Sequence, residues 1–407
     1  FDAGPTVITD PGCMEELFVL AGRRLADYVT MTPLSPFYRL LWEDGTVFDY
    51  VNDQAELDRQ IAARSPRDVE GYRRFLAYSE ALLAEGYVKL GHVPFPDFRS
   101  MMRVAPQLIA LQSYRSVYAK VAQYVEDEHL RQAFSFHSLL VGGNPFTASA
   151  IYALIHALER RGGVWFPKGG TGALVAGLVK LFTDIGGRIR LDAPVARIET
   201  RDGRVSGVVT ADGSRYPAEI VASNADVVHT YADLLGHERR AEATARGLKR
   251  KRFSMSLFVV YFGLKRRHPE LKHHSVLFGR RYRDLIREIF SGPNVPEDFS
   301  LYLHSPSVTD PALAPPGCSA YYALSPVPHL GHAPVDWVVE GPRYRDRILR
   351  YLEERLLPGL REDLVTCRIF TPADFRDELN SHLGSAFSLE PVLTQSAYFR
   401  AHNADKK

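Results

Sequence analysis

GVWFPKGGTGALVAGLVKLFTDIGG, residues 163–187, sets Gly163, Gly169, Gly170, Thr171 and Gly172 at the mouth of an apolar helix. A glycine-rich turn entering a helix N-terminus is a ready anion site, so the first question is whether this loop holds phosphate. A dinucleotide cradle needs G-x-G-x-x-G directly after a strand, and here Gly170 and Gly172 are followed by Val175 at the third position. A P-loop ends in Gly-Lys-Ser/Thr, whereas Lys168 precedes the glycines. VWFP is short, aromatic and closed by proline, a poor central strand. The spacing therefore argues against phosphate and for a tight turn that sets a helix against a sheet.

Thr171 is the expected N-cap of that helix. Leu174, Leu178, Leu181, Phe182 and Ile185 then form one apolar stripe, and Gly186–Gly187 closes the helix as a C-cap pair. Three strands are predicted next, at 195–200, 205–210 and 216–222, turned by Asp202–Gly203 and Asp212–Gly213 into a meander that ends on SNAD, 223–226.

Outward from this block, 37–51 reads as a hairpin about EDG, and Ser65, Pro66 and Asp68 predict a helix running to about Gly86. Helices dominate 100–160, with a break at GGNPF, 142–146. The segment 100–125 mixes apolar bulk with Arg103, Arg115 and Lys120, which suits a helix resting on lipid or a helix pair packed on its own core. A charged helical stretch covers 227–252, a strand 253–264, and two strands around a proline-rich loop 298–328. Helices are expected over 342–356 and from Thr371–Pro372 onward.

The totals set bounds. The chain has 407 residues, 45% hydrophobic and 24% charged, room for two or three domains. Fifty basic and 48 acidic residues leave a formal charge of +2, which gives no field for nucleic acid. Cys13, Cys318 and Cys367 are odd in number and scattered, so neither a disulfide framework nor a zinc site is indicated, and a cytoplasmic setting is expected. No apolar run reaches the ~18 residues of a spanning helix. G-x-S-x-G and HExxH are absent; HH at 273–274 has no spaced metal set, so no metal is expected. No catalytic acid, base or nucleophile can be assigned from spacing.

Six blocks in order carry a family resemblance: FDAGPTVITDP (1–11), FSFHSLLVGGNPF (134–146), GVWFPKGGTGAL (163–174), VASNADVVHTY (221–231), VTDPALAPPG (308–317) and GSAFSLEPVLTQSAYFRAHN (384–403). In these the chain resembles bacterial phytoene desaturases, carotenoid-forming flavoenzymes of the amine-oxidase-like FAD superfamily. The resemblance implies an α/β FAD-binding fold, Rossmann-like and of the GR2/amine-oxidase type, truncated at both ends, joined to an α+β substrate domain with a helical, membrane-facing region. FAD-binding pieces are expected at 1–30, 161–245 and 386–407, and substrate-domain pieces at 31–160 and 246–385. The glycine-fingerprint unit would lie before Phe1 and a flavin-closing segment after Lys407, so the 407-residue chain alone is not expected to retain FAD.

Site roles follow from the same resemblance. Gly4, Pro5 and Thr6 would lie beside the flavin ring, although Gly4 also reads as a simple turn. Val195 would present its backbone to adenine, or serve only as a core strand valine. Ser223 and Asn224 would end a strand near the cofactor. HSLLVGGNPF (137–146) would line the substrate region, or mark only a helix break. The implied reaction desaturates phytoene and partly desaturated carotenes toward lycopene in carotenoid biosynthesis, with hydride passing to FAD and oxygen or quinone as the final acceptor. A related desaturase, isomerase or ketolase acting on another C30 or C40 carotenoid, and a non-catalytic chain binding apolar ligand, are the alternatives. The lipid-borne substrate implies a peripheral contact with the membrane surface, for which 100–125 and 147–158 are the candidates.

Overall fold

The computed structural model describes residues 1–3, 6–93, 95 and 97–401. The chain opens with α1 (Pro11–Leu20), then β1 (Met31–Pro33), β2 (Tyr38–Trp42) and β3 (Val47–Tyr50). Helices α2 (Gln54–Arg64), α3 (Asp68–Leu82), α4 (Phe98–Ala110), α5 (Val117–Val121), α6 (Glu128–Ser135) and α7 (Leu154–Gly162) follow. Next come β4 (Trp165–Pro167), α8 (Thr171–Asp184), β5 (Val195–Arg201), β6 (Arg204–Thr210) and β7 (Arg215–Pro217). Beyond α9 (Val227–His229) and α10 (Arg239–Leu248) lie β8 (Ser256–Leu264), β9 (His274–Phe278), α11 (Tyr282–Ser291), β10 (Leu301–His304) and β11 (Ser319–Val327). The described chain finishes through α12 (Trp337–Arg355), α13 (Leu360–Asp363), β12 (Leu364–Phe370) and α14 (Pro372–Asp377).

A seven-stranded sheet in the order β12-β8-β11-β10-β9-β2-β3 organises the molecule. Neighbours run antiparallel except β2 and β9, which pair in parallel with Arg39 opposite Ser275. Alternation along β8 explains why both faces are covered. Leu257 and Val259 join a core with Tyr72, Phe75 and Phe134 of the N-terminal helices. Phe258, Val260 and Phe262 join a second core with Trp337, Tyr344 and Ile348 of α12. Two smaller sheets stand apart: β1 with β4, and the meander β5-β6-β7.

Local signals were followed wherever the chemistry is local. EDG turns β2 into β3, and Asp202 and Gly203, both at positive φ, turn β5 into β6. Thr371 and Asp374 form a reciprocal capping box on α14. Gly186 and Gly187 donate to the Thr183 and Phe182 carbonyls, a Schellman closure of α8.

Four expectations are corrected. Ser65 closes α2 instead of capping α3, which begins at Asp68. The Asp68 carboxylate accepts the Glu126 and Asp127 amides and so ties α3 to the loop before α6. Thr171 is the first residue of α8, behind Gly170 at φ +81. The α8 stripe also divides: Leu174 and Leu181 are buried, while Phe182 and Ile185 are exposed. Finally, β7 covers only Arg215–Pro217, much shorter than 216–222.

Gly71 marks where α3 meets this loop most closely. A Cβ there would overlap the Tyr124 carbonyl oxygen, a backbone atom that cannot rotate away. Gly71→Ala is expected to lower stability by about 1–3 kcal/mol despite alanine's better helix propensity. Equal denaturation midpoints for variant and parent would contradict this packing.

Candidate functional site

Asp2 determines what the glycine loop can bind. Its carboxylate accepts the Thr171 amide at 2.9 Å and the Thr171 hydroxyl, placing it on the N-terminus of α8. Asp310 accepts the Gly169 amide at 2.8 Å. The amides a phosphate would use are thus held by two carboxylates from elsewhere in the chain, which gives the spacing argument a physical cause.

The other Asp2 oxygen lies 3.3 Å from Nε2 of His304. Burial pushes the Asp2 carboxyl upward, but the contacts from His304 and Thr171 outweigh it and hold the group below the ordinary range. His304 faces His274 across the β10–β9 pair, and the Ser305 amide donates to the His273 carbonyl. The three imidazoles are therefore gathered by sheet register. Nδ1 of His273 meets the Thr309 hydroxyl at 2.6 Å, and Nδ1 of His274 meets the Tyr302 hydroxyl at 2.6 Å. Tyr302 contacts the Thr6 hydroxyl at 3.0 Å, which in turn contacts Tyr322 at 2.6 Å. Phe166 packs on His273 with ring centres 4.4 Å apart, and Tyr322 on His304 at 4.7 Å.

Desolvation is the main influence on these rings. It pushes His273 down to about 2, His274 well below the usual imidazole value and His304 downward, so all three favour the neutral form. Sequence spacing alone does not gather this cluster, because His304 joins His273 and His274 only through β9–β10 pairing. An alternating strand reading of LYLHSP beside HHSVLF was the available signal.

The expected site residues occupy different places. Gly4 and Pro5 lie outside the described residues. Thr6 is buried against Tyr302 and Tyr322. Val195 is 39% exposed at the start of β5, the outer strand of its sheet. Ser223 and Asn224 are exposed between β7 and α9, with the Ser223 hydroxyl 2.8 Å from that of Thr230. No contact among the described residues joins Thr6 to these three.

The two membrane candidates separate as well. Helix α4 has no buried residue, and Phe98, Met102 and Ile109 are 52%, 53% and 62% exposed beside Arg99 and Arg103. The packed-pair reading therefore fails for α4, though α5 is buried. Ala148, Ala150, Ala153, His156 and Ala157 are buried, which removes most of 147–158 from any surface. Among the described residues, no helix is long and apolar enough to cross a membrane.

A large mixed sheet braced by helices, beside a separate helix and meander, fits an α/β FAD-binding fold. The chain belongs to the flavin containing amine oxidoreductase family, whose model matches residues 1–406. It is 65% identical to a phytoene desaturase (lycopene-forming) of Pseudescherichia vulneris, over all of this chain and 82% of that protein. The corresponding enzyme of Pantoea ananas is 63% identical, again over all of this chain and 82% of its own length. Among solved structures, wild-type putrescine oxidase bound to putrescine superposes with a TM-score of 0.60. That match covers 97% of this chain and 79% of the oxidase at 13% identity, a likeness of fold alone.

The described residues fit FAD. Strand β5 has a free edge among them, so Val195 can offer backbone groups to a planar base. On α8, Val175, Val179 and Phe182 make an exposed apolar face at helical spacing.

Proposed function

We propose that this chain carries out the FAD-dependent desaturation of phytoene, forming lycopene. The whole-chain identity of 65% to a lycopene-forming relative is the observation that carries the reading. FAD, when bound, supplies the hydride acceptor. The protein's own contribution is orientation and exclusion of water. Thr6, pinned by the hydroxyls of Tyr302 and Tyr322, fixes the approach of the segment assigned to the flavin ring. Tyr302 and Tyr322 have hydroxyls pushed up by burial, so they stay protonated and neutral at this dry wall. Gly4, Pro5, Val195, Ser223 and Asn224 are assigned to the cofactor in the same reading. Oxygen or quinone serves as the final acceptor.

Phytoene dissolves in lipid, so the reading places the enzyme on the cytoplasmic membrane surface through α4. Its exposed Phe98, Met102 and Ile109 supply apolar area, and Arg99 and Arg103 suit anionic headgroups. The test uses the full-length gene product with FAD and liposomes containing phytoene. The expected result is red, long-wavelength polyene absorbance, and a triple variant Phe98→Ser, Met102→Ser, Ile109→Ser should lose at least about tenfold in vesicle binding. FAD-loaded protein that converts no phytoene would remove the desaturase reading; unchanged vesicle binding would remove α4 from the membrane contact.

A further inference from the structure

The three gathered imidazoles share a pattern that packing alone does not account for. His273, His274 and His304 are 5%, 0% and 0% exposed. Each has one ring nitrogen engaged: Nδ1 of His273 on Thr309, Nδ1 of His274 on Tyr302, and Nε2 of His304 on Asp2. Each has its other nitrogen buried with no hydrogen-bond partner: Nε2 of His273, Nε2 of His274 and Nδ1 of His304. Three unpartnered buried nitrogens in one place call for an occupant, since each costs about 1–3 kcal/mol if left unpaired. One ligand nitrogen from each ring lies within 4.8 Å of those from the other two.

We propose that His273, His274 and His304 bind a divalent transition-metal ion of the Zn2+ class. Neutral imidazole suits such an ion, and three histidines leave a fourth position for water. Metal–nitrogen bonds of about 2.0–2.1 Å in tetrahedral geometry put the ligand atoms about 3.3 Å apart, so the rings draw together from their present spacing of up to 4.8 Å when the site closes. The outer contacts match what ligating histidines require. Asp2 can only accept, so it fixes the proton of His304 on Nε2 and leaves Nδ1 its lone pair. The Tyr302 and Thr309 hydroxyls can do the same for the other two rings by accepting from Nδ1. Asp2 also brings the negative charge that a buried dication needs nearby, while tying the site to the first turn of α8. The ion would clamp β9 and β10 together beside Asp2, whichever reaction the protein performs.

The test is metal analysis of the full-length protein, expressed without a polyhistidine tag, loaded with Zn2+ and dialysed. The expected content is about one equivalent per chain, and Co2+ in its place should give the visible absorption of a four-coordinate ion. His304→Gln keeps a donor for Asp2 but removes Nδ1; His274→Asn keeps a donor for Tyr302 but removes Nε2. Both should reduce the bound metal at least tenfold while retaining the parent circular dichroism. Asp2→Asn should weaken the Zn2+ dissociation constant by roughly 10–100-fold. Parent protein that retains no more metal than either variant would overturn the proposal. Should the variants misfold, the parent's Co2+ spectrum decides alone: a six-coordinate or absent spectrum overturns it.

Discussion

In the presence of EDTA, lowering the pH from 7 to 5 is expected to cost the folded protein at least about 5 kcal/mol. The effect comes from imidazoles that cannot accept protons where they are buried. Desolvation holds His156 and His274 well below the usual value and His273 at about 2. In the unfolded chain the same groups titrate near 6.5. Below that pH the unfolded state binds protons that the folded state refuses, so stability falls as pH falls. Each of the three contributes about 2 kcal/mol by pH 5. His329, held at about 4 by burial, adds a similar amount, and His304, His129 and His382 act in the same direction. Glu390, raised by burial, opposes it as a single group, and the depressed carboxyl of Asp2 stays ionised throughout the window.

A loss of that size is a large fraction of a typical domain's 5–15 kcal/mol. Urea midpoints at pH 7, 6 and 5 measure it, and His156→Phe should remove up to about a quarter of the slope. His156 suits this control because its two nitrogens engage Tyr50 at 3.0 Å and Tyr72 at 3.2 Å, away from the His273 cluster. Equal midpoints at pH 7 and pH 5 would show that the buried rings accept protons without unfolding.

Much of the architecture was legible where a few adjacent residues settle the matter. The EDG hairpin, the Thr371 capping box and the Gly186–Gly187 closure each depend on contacts within a handful of residues. The misreadings share the opposite character. Thr171 looked like a cap, but Asp2, 169 positions away in sequence, takes that role by accepting its amide. Phe182 and Ile185 extended a plausible stripe, yet α1 and the following loop cover only the part of α8 around Leu174 and Leu181. His304 could join the HH pair only after strand register was known. The family could be read from ordered blocks, but cofactor contacts could not, because Thr6 and Val195 acquire their settings from different sheets.

The largest single-site loss is expected at a buried carboxylate. Glu159 on α7 is fully buried, and its Oε1 accepts the Tyr38 hydroxyl from β2 at 2.6 Å. Its Oε2 lies 3.0 Å from Nε2 of His137, off the line of a good hydrogen bond, so that contact acts mainly through charge and dipole. Replacing His137 by leucine keeps the volume beside Phe136 but takes away the only group drawn to that oxygen among the described residues. His137→Leu is therefore expected to cost about 3–5 kcal/mol, the usual consequence of stripping a partner from a buried charge. The triple replacement Tyr38→Phe, His137→Leu, Glu159→Leu removes all three polar groups together, leaves none unpaired, and should stand within about 2 kcal/mol of the parent. This contrast separates a network that adds net stability from one that merely tolerates its own burial. A triple variant as unstable as His137→Leu would mean that the carboxylate and its partners contribute stability beyond an apolar core. Because His137 begins the HSLLVGGNPF segment assigned to the substrate wall, the triple variant should also show whether that wall needs the polar network or only its shape.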